Sequence, residues 1–174
     1  PIINTNSLRN NLTFCLECPK GTWSDTMAHV VSFADYDSAC KICDAGLYND
    51  QPGQTSQSAC VRCPKGRYNT GAITASALKH YENNDDLEDC LICHKGQWSA
   101  TEGRTSSNCE NCPKGSYNDD DGTDQMKHDA KMDCTPCPKD TFSAVEGARG
   151  EDACYACPDG YFTAENEIPY EESD

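Results

Sequence analysis

Every one of the 14 cysteines in this chain belongs to a C-x-x-C pair. The pairs are Cys15/Cys18, Cys40/Cys43, Cys60/Cys63, Cys90/Cys93, Cys109/Cys112, Cys134/Cys137 and Cys154/Cys157. From the second cysteine of one pair to the first of the next, the steps are 22, 17, 27, 16, 22 and 17 residues. Long and short steps alternate, so the larger unit is a double module whose starts, Cys15, Cys60, Cys109 and Cys154, lie 45, 49 and 45 residues apart. Such a fixed period restricts the chain to a tandem repeat. The expected divisions are an N-terminal tail, 1–14, double modules at 15–59, 60–108 and 109–153, and an incomplete final module, 154–174.

The residues after each pair repeat as well. An aromatic stands five positions after the second cysteine: Trp23, Tyr48, Tyr68, Trp98, Tyr117, Phe142 and Phe162. A glycine stands three positions after it at Gly21, Gly46, Gly66, Gly96, Gly115 and Gly160, with Asp140 in the seventh copy. Asp also tolerates positive φ. Proline follows the cysteine in five copies, and Ser, Asn or Thr follows the aromatic in all seven. C-P-x-G reads as a turn, because Pro fixes φ and Gly accepts a left-handed conformation. The stretch through the aromatic is then a short extended segment, with the ring over a neighbouring disulfide. Gly53, Gly103 and Gly147 mark a second turn in the short steps. The fold class expected is small disulfide-rich modules in an elongated tandem-repeat rod, with short β-hairpins and turns and little regular secondary structure. The extra length at Ala72–Leu87 is enough for one or two helical turns.

Composition agrees with a chain that lacks a conventional core. The hydrophobic fraction is 36% with the cysteines included, and the mean hydropathy is −0.76. A 174-residue globule needs more buried aliphatic and aromatic bulk than that. Cross-links are the available substitute, each closed loop contributing about 3 kcal/mol in the chain-entropy picture. If modules touch only their neighbours, the array is quasi-one-dimensional. A formal net charge of −15 argues against nucleic-acid binding. No apolar run approaches the roughly 20 residues that span a bilayer. Residue 1 is Pro and no signal peptide is visible, as expected of a mature product or an excerpt of a longer chain.

The pattern C-x-x-C-P-x-G-x-aromatic-Ser/Asn, then Gly, then C-x-x-C, resembles the ephrin-receptor-like cysteine-rich repeat over residues 15–163. It also looks like the simplest module of tumour necrosis factor receptor ectodomains, an EGF/TNFR-like extracellular type. In the receptor-type module the second cysteine of one pair closes on the first of the next. The resemblance therefore implies Cys18–Cys40, Cys43–Cys60, Cys63–Cys90, Cys93–Cys109, Cys112–Cys134 and Cys137–Cys154. It leaves Cys15 and Cys157 for a disulfide between subunits, or for partners in flanking sequence, or for each other.

Two other readings of the cysteines remain open at this point, four-cysteine zinc clusters and redox-active C-x-x-C sites. Seven pairs cannot be consumed two at a time by zinc, and a redox site needs a helix start in a βαβ setting that is not readable here. The acidic, Gly- and Asn-rich composition fits an oxidising compartment, as does the single N-x-S/T sequon, Asn11-Leu12-Thr13, which makes Asn11 a glycosylation candidate.

Asn118–Asp124 looks like a calcium loop but lacks the bidentate Glu of an EF-hand. It and Asn83–Asp89 read as solvated acidic loops, with weak calcium binding as the alternative; no other cofactor is expected. His29, His80, His94 and His128 fall in no metal or catalytic spacing and are expected to be exposed without a special role. No nucleophile has a base placed beside it, so the chain is not expected to be an enzyme. The leading expectation is an extracellular or cell-surface structural protein, a spacer or head-to-tail filament subunit whose partner is itself. The alternative is a receptor or adhesion ectodomain that binds another extracellular protein.

Overall fold

The computed structural model describes residues 17–25, 39–71 and 84–163. Cys15, Asn11, His29, His80 and most of Ala72–Leu87 lie outside the described residues. Six disulfides divide the chain into modules: the first is closed by Cys18–Cys40, the second by Cys43–Cys60 and the third by Cys63–Cys90. The fourth, fifth and sixth are closed by Cys93–Cys109, Cys112–Cys134 and Cys137–Cys154. Odd modules are the long ones and even modules the short ones.

Each module contains one two-stranded antiparallel hairpin, built in the same way. The pairs are β1 (Thr22–Trp23) with β2 (Lys41–Ile42), β3 (Leu47–Tyr48) with β4 (Val61–Arg62), and β5 (Arg67–Tyr68) with β6 (Leu91–Ile92). They continue as β7 (Gln97–Trp98) with β8 (Glu110–Asn111), β9 (Ser116–Tyr117) with β10 (Thr135–Pro136), and β11 (Thr141–Phe142) with β12 (Tyr155–Ala156). The first strand always holds the aromatic, and the second is always the pair of residues between two cysteines. That explains the C-x-x-C spacing. The first cysteine closes the module behind it, the two middle residues pair with that module's aromatic strand, and the second cysteine opens the next module.

The turn leading into each hairpin uses the left-handed residue read from the sequence. Gly96, for example, has φ +76°, and Asp140 has φ +62°, the one positive-φ non-glycine among the described residues. Among the described residues, four modules also end in a 3-10 turn, at Gln57–Ala59, Leu87–Asp89, Lys131–Asp133 and Glu151–Ala153. In each the closing cysteine's N–H donates three residues back, as Cys60 does to Gln57 O at 3.0 Å. Ser56 and Asp86 cap two of these turns by accepting from Ser58 N and Glu88 N.

The interior is mainly sulfur. Of the twelve buried hydrophobic residues among those described, nine are cysteines, and Tyr68, Tyr117 and Ala148 are the others. Tyr68 clusters with Cys93 and Cys109, the disulfide of the following module. The polar residue after the aromatic is also buried, at Asn49, Asn69, Ser99, Asn118 and Ser143. It sits at the joint. Asn49 N donates to Asn84 O (2.9 Å), Asn69 N to Arg104 O (3.0 Å), Ser99 N to His128 O (2.8 Å) and Asn118 N to Ala148 O (3.1 Å), each acceptor lying in the next module. Buried backbone groups need partners, and here the following module supplies them.

Contacts extend further than the one-dimensional expectation. Gly46 of the second module faces Gly103 of the fourth, Gly66 of the third faces Gln125 and His128 of the fifth, and Gly96 of the fourth faces Gly147 of the sixth. Modules therefore touch the next but one as well as the next. The cause is their thinness: hairpins two residues per strand leave no bulk to hold alternate modules apart.

Candidate functional site

The sulfur ladder is the most strongly built feature. Cα–Cα distances across the six bridges are 5.6–6.0 Å, in the range of unforced disulfides. Among the described residues the bridges run in single steps, with none skipping a pair. Backbone bonds tie the opening cysteines into the stack: Cys63 N donates to Gly46 O at 2.9 Å, and Cys63 O accepts from Gly103 N at 2.8 Å. A bridge thus closes its own loop and fixes the height of its neighbours.

Cys157 is the one free thiol among the described residues, and it is half-buried. Its N–H donates to Asp140 O at 3.0 Å, just as Cys137 N donates to Gly115 O at 2.8 Å. Cys157 is therefore placed as an opening cysteine. Around this end four rings are exposed: Phe142 (45%), Tyr155 (71%), Tyr161 (75%) and Phe162 (79%). Of these, Phe142 and Phe162 hold the repeat's aromatic position, where Tyr68 and Tyr117 are 4% and 9% exposed and Trp23, Tyr48 and Trp98 are half-buried.

The two acidic runs behave differently. In the first, Asp85, Asp86 and Asp89 place a carboxylate oxygen each within 4.8 Å of one another. Asp89 Oδ2 caps the turn by accepting from Asp85 N (2.8 Å) and Asp86 N (3.2 Å). Burial, and then the negative charge of Asp89 and Asp86, pushes the Asp85 carboxyl up to about 6. In the second run Asp120 turns inward. Its Oδ2 accepts from Gly122 N (3.0 Å), Thr123 N (2.9 Å) and Asp124 N (3.1 Å). Burial alone would raise this carboxyl, but those N–H groups and the His128 ring outweigh it and hold Asp120 well below the usual carboxylate range.

The reading of all four histidines as exposed needs correction at His128, whose side chain is fully buried. Its Nδ1 lies 2.7 Å from Gln97 O and its Nε2 3.1 Å from Asp120 Oδ2. Only a fold that brings residue 128 back over the fourth module buries it, and local spacing carries no trace of that return. One signal was available: His128 and Asn84 both stand six residues before the closing cysteine of a long module. His94 sits on the surface with its ring edge-on to Tyr68, centroids 6.2 Å apart. His29 and His80 lie outside the described residues, as do Cys15 and Asn11.

Two comparisons bear on this arrangement. Residues 122–167 match the family model described as tyrosine-protein kinase ephrin type A/B receptor-like. That stretch runs from the fifth module's loop through the sixth module to beyond Cys157. The chain is also similar to thyroglobulin of Rattus norvegicus, 38% identical over 91 residues, which is 51% of this chain and 3% of that protein. Against thyroglobulin of Mus musculus it is 35% identical over 102 residues, 57% of this chain and again 3% of the relative. The chain thus spans a small fraction of the relatives it matches. With six tandem disulfides and these likenesses it is a cysteine-rich module array of extracellular type. No helix among the described residues is long and apolar enough to cross a membrane.

Proposed function

We propose that this chain is a non-enzymatic structural element outside the cell, a disulfide-stapled spacer that also joins head to tail through Cys157. The observation that carries the reading is the single-step ladder of six bridges, in which each opening cysteine from Cys43 to Cys137 donates its N–H to a glycine carbonyl of the preceding module. A stack held in this way keeps a fixed spacing and resists proteolysis without a large core. The likeness to ephrin-receptor-like and thyroglobulin sequences supports an oxidising, extracellular setting. Head-to-tail growth is supported by the opening-cysteine geometry of Cys157 and the exposed rings beside it. A contact between unlike ends that does not close into a ring makes a filament. Joining Cys157 of one copy to Cys15 of another forms one S–S bond; two protons and two electrons leave to an oxidised disulfide-exchange catalyst.

Non-reducing electrophoresis of the oxidised chain tests this. A ladder of multimers is expected that collapses to 19.0 kDa on reduction and disappears with Cys157→Ser. A monomer with a titratable Cys157 thiol in the unsubstituted chain would overturn the filament. The exposed group Phe142, Tyr155, Tyr161 and Phe162 also supports the second reading, an ectodomain that binds a protein ligand there.

A further inference from the structure

Four facts converge on His128. Its side chain is fully buried. Its Nδ1 is 2.7 Å from a backbone carbonyl, Gln97 O, which can only accept a hydrogen bond. Its Nε2 is 3.1 Å from Asp120 Oδ2, which already accepts three backbone N–H bonds and so serves as an ionised acceptor. A neutral imidazole has one donor nitrogen and one acceptor nitrogen. With acceptors on both sides, a neutral ring would place a lone pair against an oxygen in a site that excludes water.

We propose that His128 is held as an imidazolium, and that its proton is the latch closing the joint between the third, fourth and fifth modules. The loop it anchors spans all three. His128 O accepts from Ser99 N of the fourth module at 2.8 Å. Gln125, three residues earlier, accepts from Arg67 Nε at 3.0 Å and donates its Nε2 to Lys65 O at 3.0 Å, both in the third module. Loss of the proton expels the ring and releases these contacts together.

The charged surroundings are few. On the loop itself Asp120 faces the ring, and Lys127 Nζ lies 3.7 Å from Asp120 Oδ1. Asp121 is paired outward with Lys95 of the fourth module, Asp119 and Asp124 are exposed, and Arg67 is the cation that the third module contributes. Docking takes up a proton, so by linkage it strengthens as pH falls and weakens as pH rises. Asp120, held well below the usual carboxylate range, keeps its charge through acidic conditions and sets the lower limit.

The chain contains its own control. Asn84 holds the same position in the third module, and its backbone O accepts from Asn49 N at 2.9 Å as His128 O does from Ser99 N. Asn84 Nδ2 donates to Cys43 O at 2.9 Å, and Asn84 Oδ1 accepts from Asn69 Nδ2 at 2.8 Å. An amide supplies donor and acceptor at once and does not titrate. The Asn84 amide therefore carries no pH switch of its own, and the titrating group at that joint is the neighbouring Asp85 carboxyl, pushed up to about 6.

Nitrogen-15 NMR of the full oxidised chain across pH, with hydrogen exchange corrected for base catalysis, tests the latch. Both His128 ring nitrogens are expected to carry protons wherever Ser99 N–H is protected. Compared above the range in which Asp85 titrates, Ser99 protection should fall by about tenfold or more as the imidazolium signal disappears with rising pH, while Asn49 protection holds. His128→Asn should remove the pH response, and Asp120→Asn should remove the imidazolium signal with the six disulfides intact. A neutral His128 ring beside a protected Ser99, or parallel responses at Ser99 and Asn49, would overturn the proposal. The unsubstituted chain alone decides between these outcomes, whether or not the variants fold.

Discussion

Gly96→Ala is expected to destabilise the oxidised chain by on the order of 3–5 kcal/mol, with the loss centred where the fourth module meets the sixth. Two independent effects add. At φ +76° any Cβ is strained, a cost of roughly 1–2 kcal/mol. The new Cβ would also stand 2.2 Å from Gly147 O and 2.6 Å from Gly147 C. These are backbone atoms and cannot rotate away, so the sixth module must lift. Lifting it stretches the bond from Gly147 N to Cys112 O, now 2.8 Å, and with it the fifth module's contact. Gly160→Ala separates the two effects. Gly160 has φ +86° but nothing within 4 Å of its added Cβ, so only the conformational cost of roughly 1–2 kcal/mol applies. Denaturant unfolding of both variants, under oxidising conditions, makes the comparison. Equal losses would mean that the modules do not touch at Gly147.

Removing one rung should be as costly. Cys63→Ala with Cys90→Ala opens a loop of 27 residues, a loss of about 3–4 kcal/mol in the chain-entropy picture. Cys63 and Cys90 are both fully buried, so the truncated pair also leaves a cavity. Because Cys63 bonds to both Gly46 and Gly103, exchange protection should fall in the second and fourth modules as well as the third. The pair Cys137 and Cys154 closes a shorter loop of 17 residues and is half-buried at both ends. Its removal should cost less and remain local. Thermal unfolding with residue-level hydrogen exchange reads both effects, and equal, purely local losses would show that the rungs are independent.

The parts of the structure legible in the sequence are those set by residues close together in the chain. The turn at Gly96, the aromatic strand through Trp98 and the C-x-x-C step are each specified within a few residues. So was the substitution of Asp140 for glycine, which does adopt φ +62°. The disulfide order comes from the resemblance to receptor-type modules, since spacing alone leaves zinc clusters and redox-active pairs open. What was not legible depends on how each module is rotated on the last. The approach of Gly46 to Gly103 spans 57 residues of chain, and neither local pattern announces the other. Asp120 turns inward out of a run that looks like solvated acid because the N–H groups of Gly122, Thr123 and Asp124 and the His128 ring converge on its Oδ2. The 3-10 turns before the closing cysteines were missed because three residues such as Gln57–Ala59 carry too short a period to detect.

Peptide mapping of the unreduced chain tests the single-step ladder most directly. Cleavage between modules, followed by mass analysis before and after reduction, should recover Cys18–Cys40, Cys43–Cys60, Cys63–Cys90, Cys93–Cys109, Cys112–Cys134 and Cys137–Cys154, with no bridge skipping a pair. Recovery of Cys15–Cys40 together with Cys18–Cys43, or of free thiols accompanied by bound zinc, would contradict it.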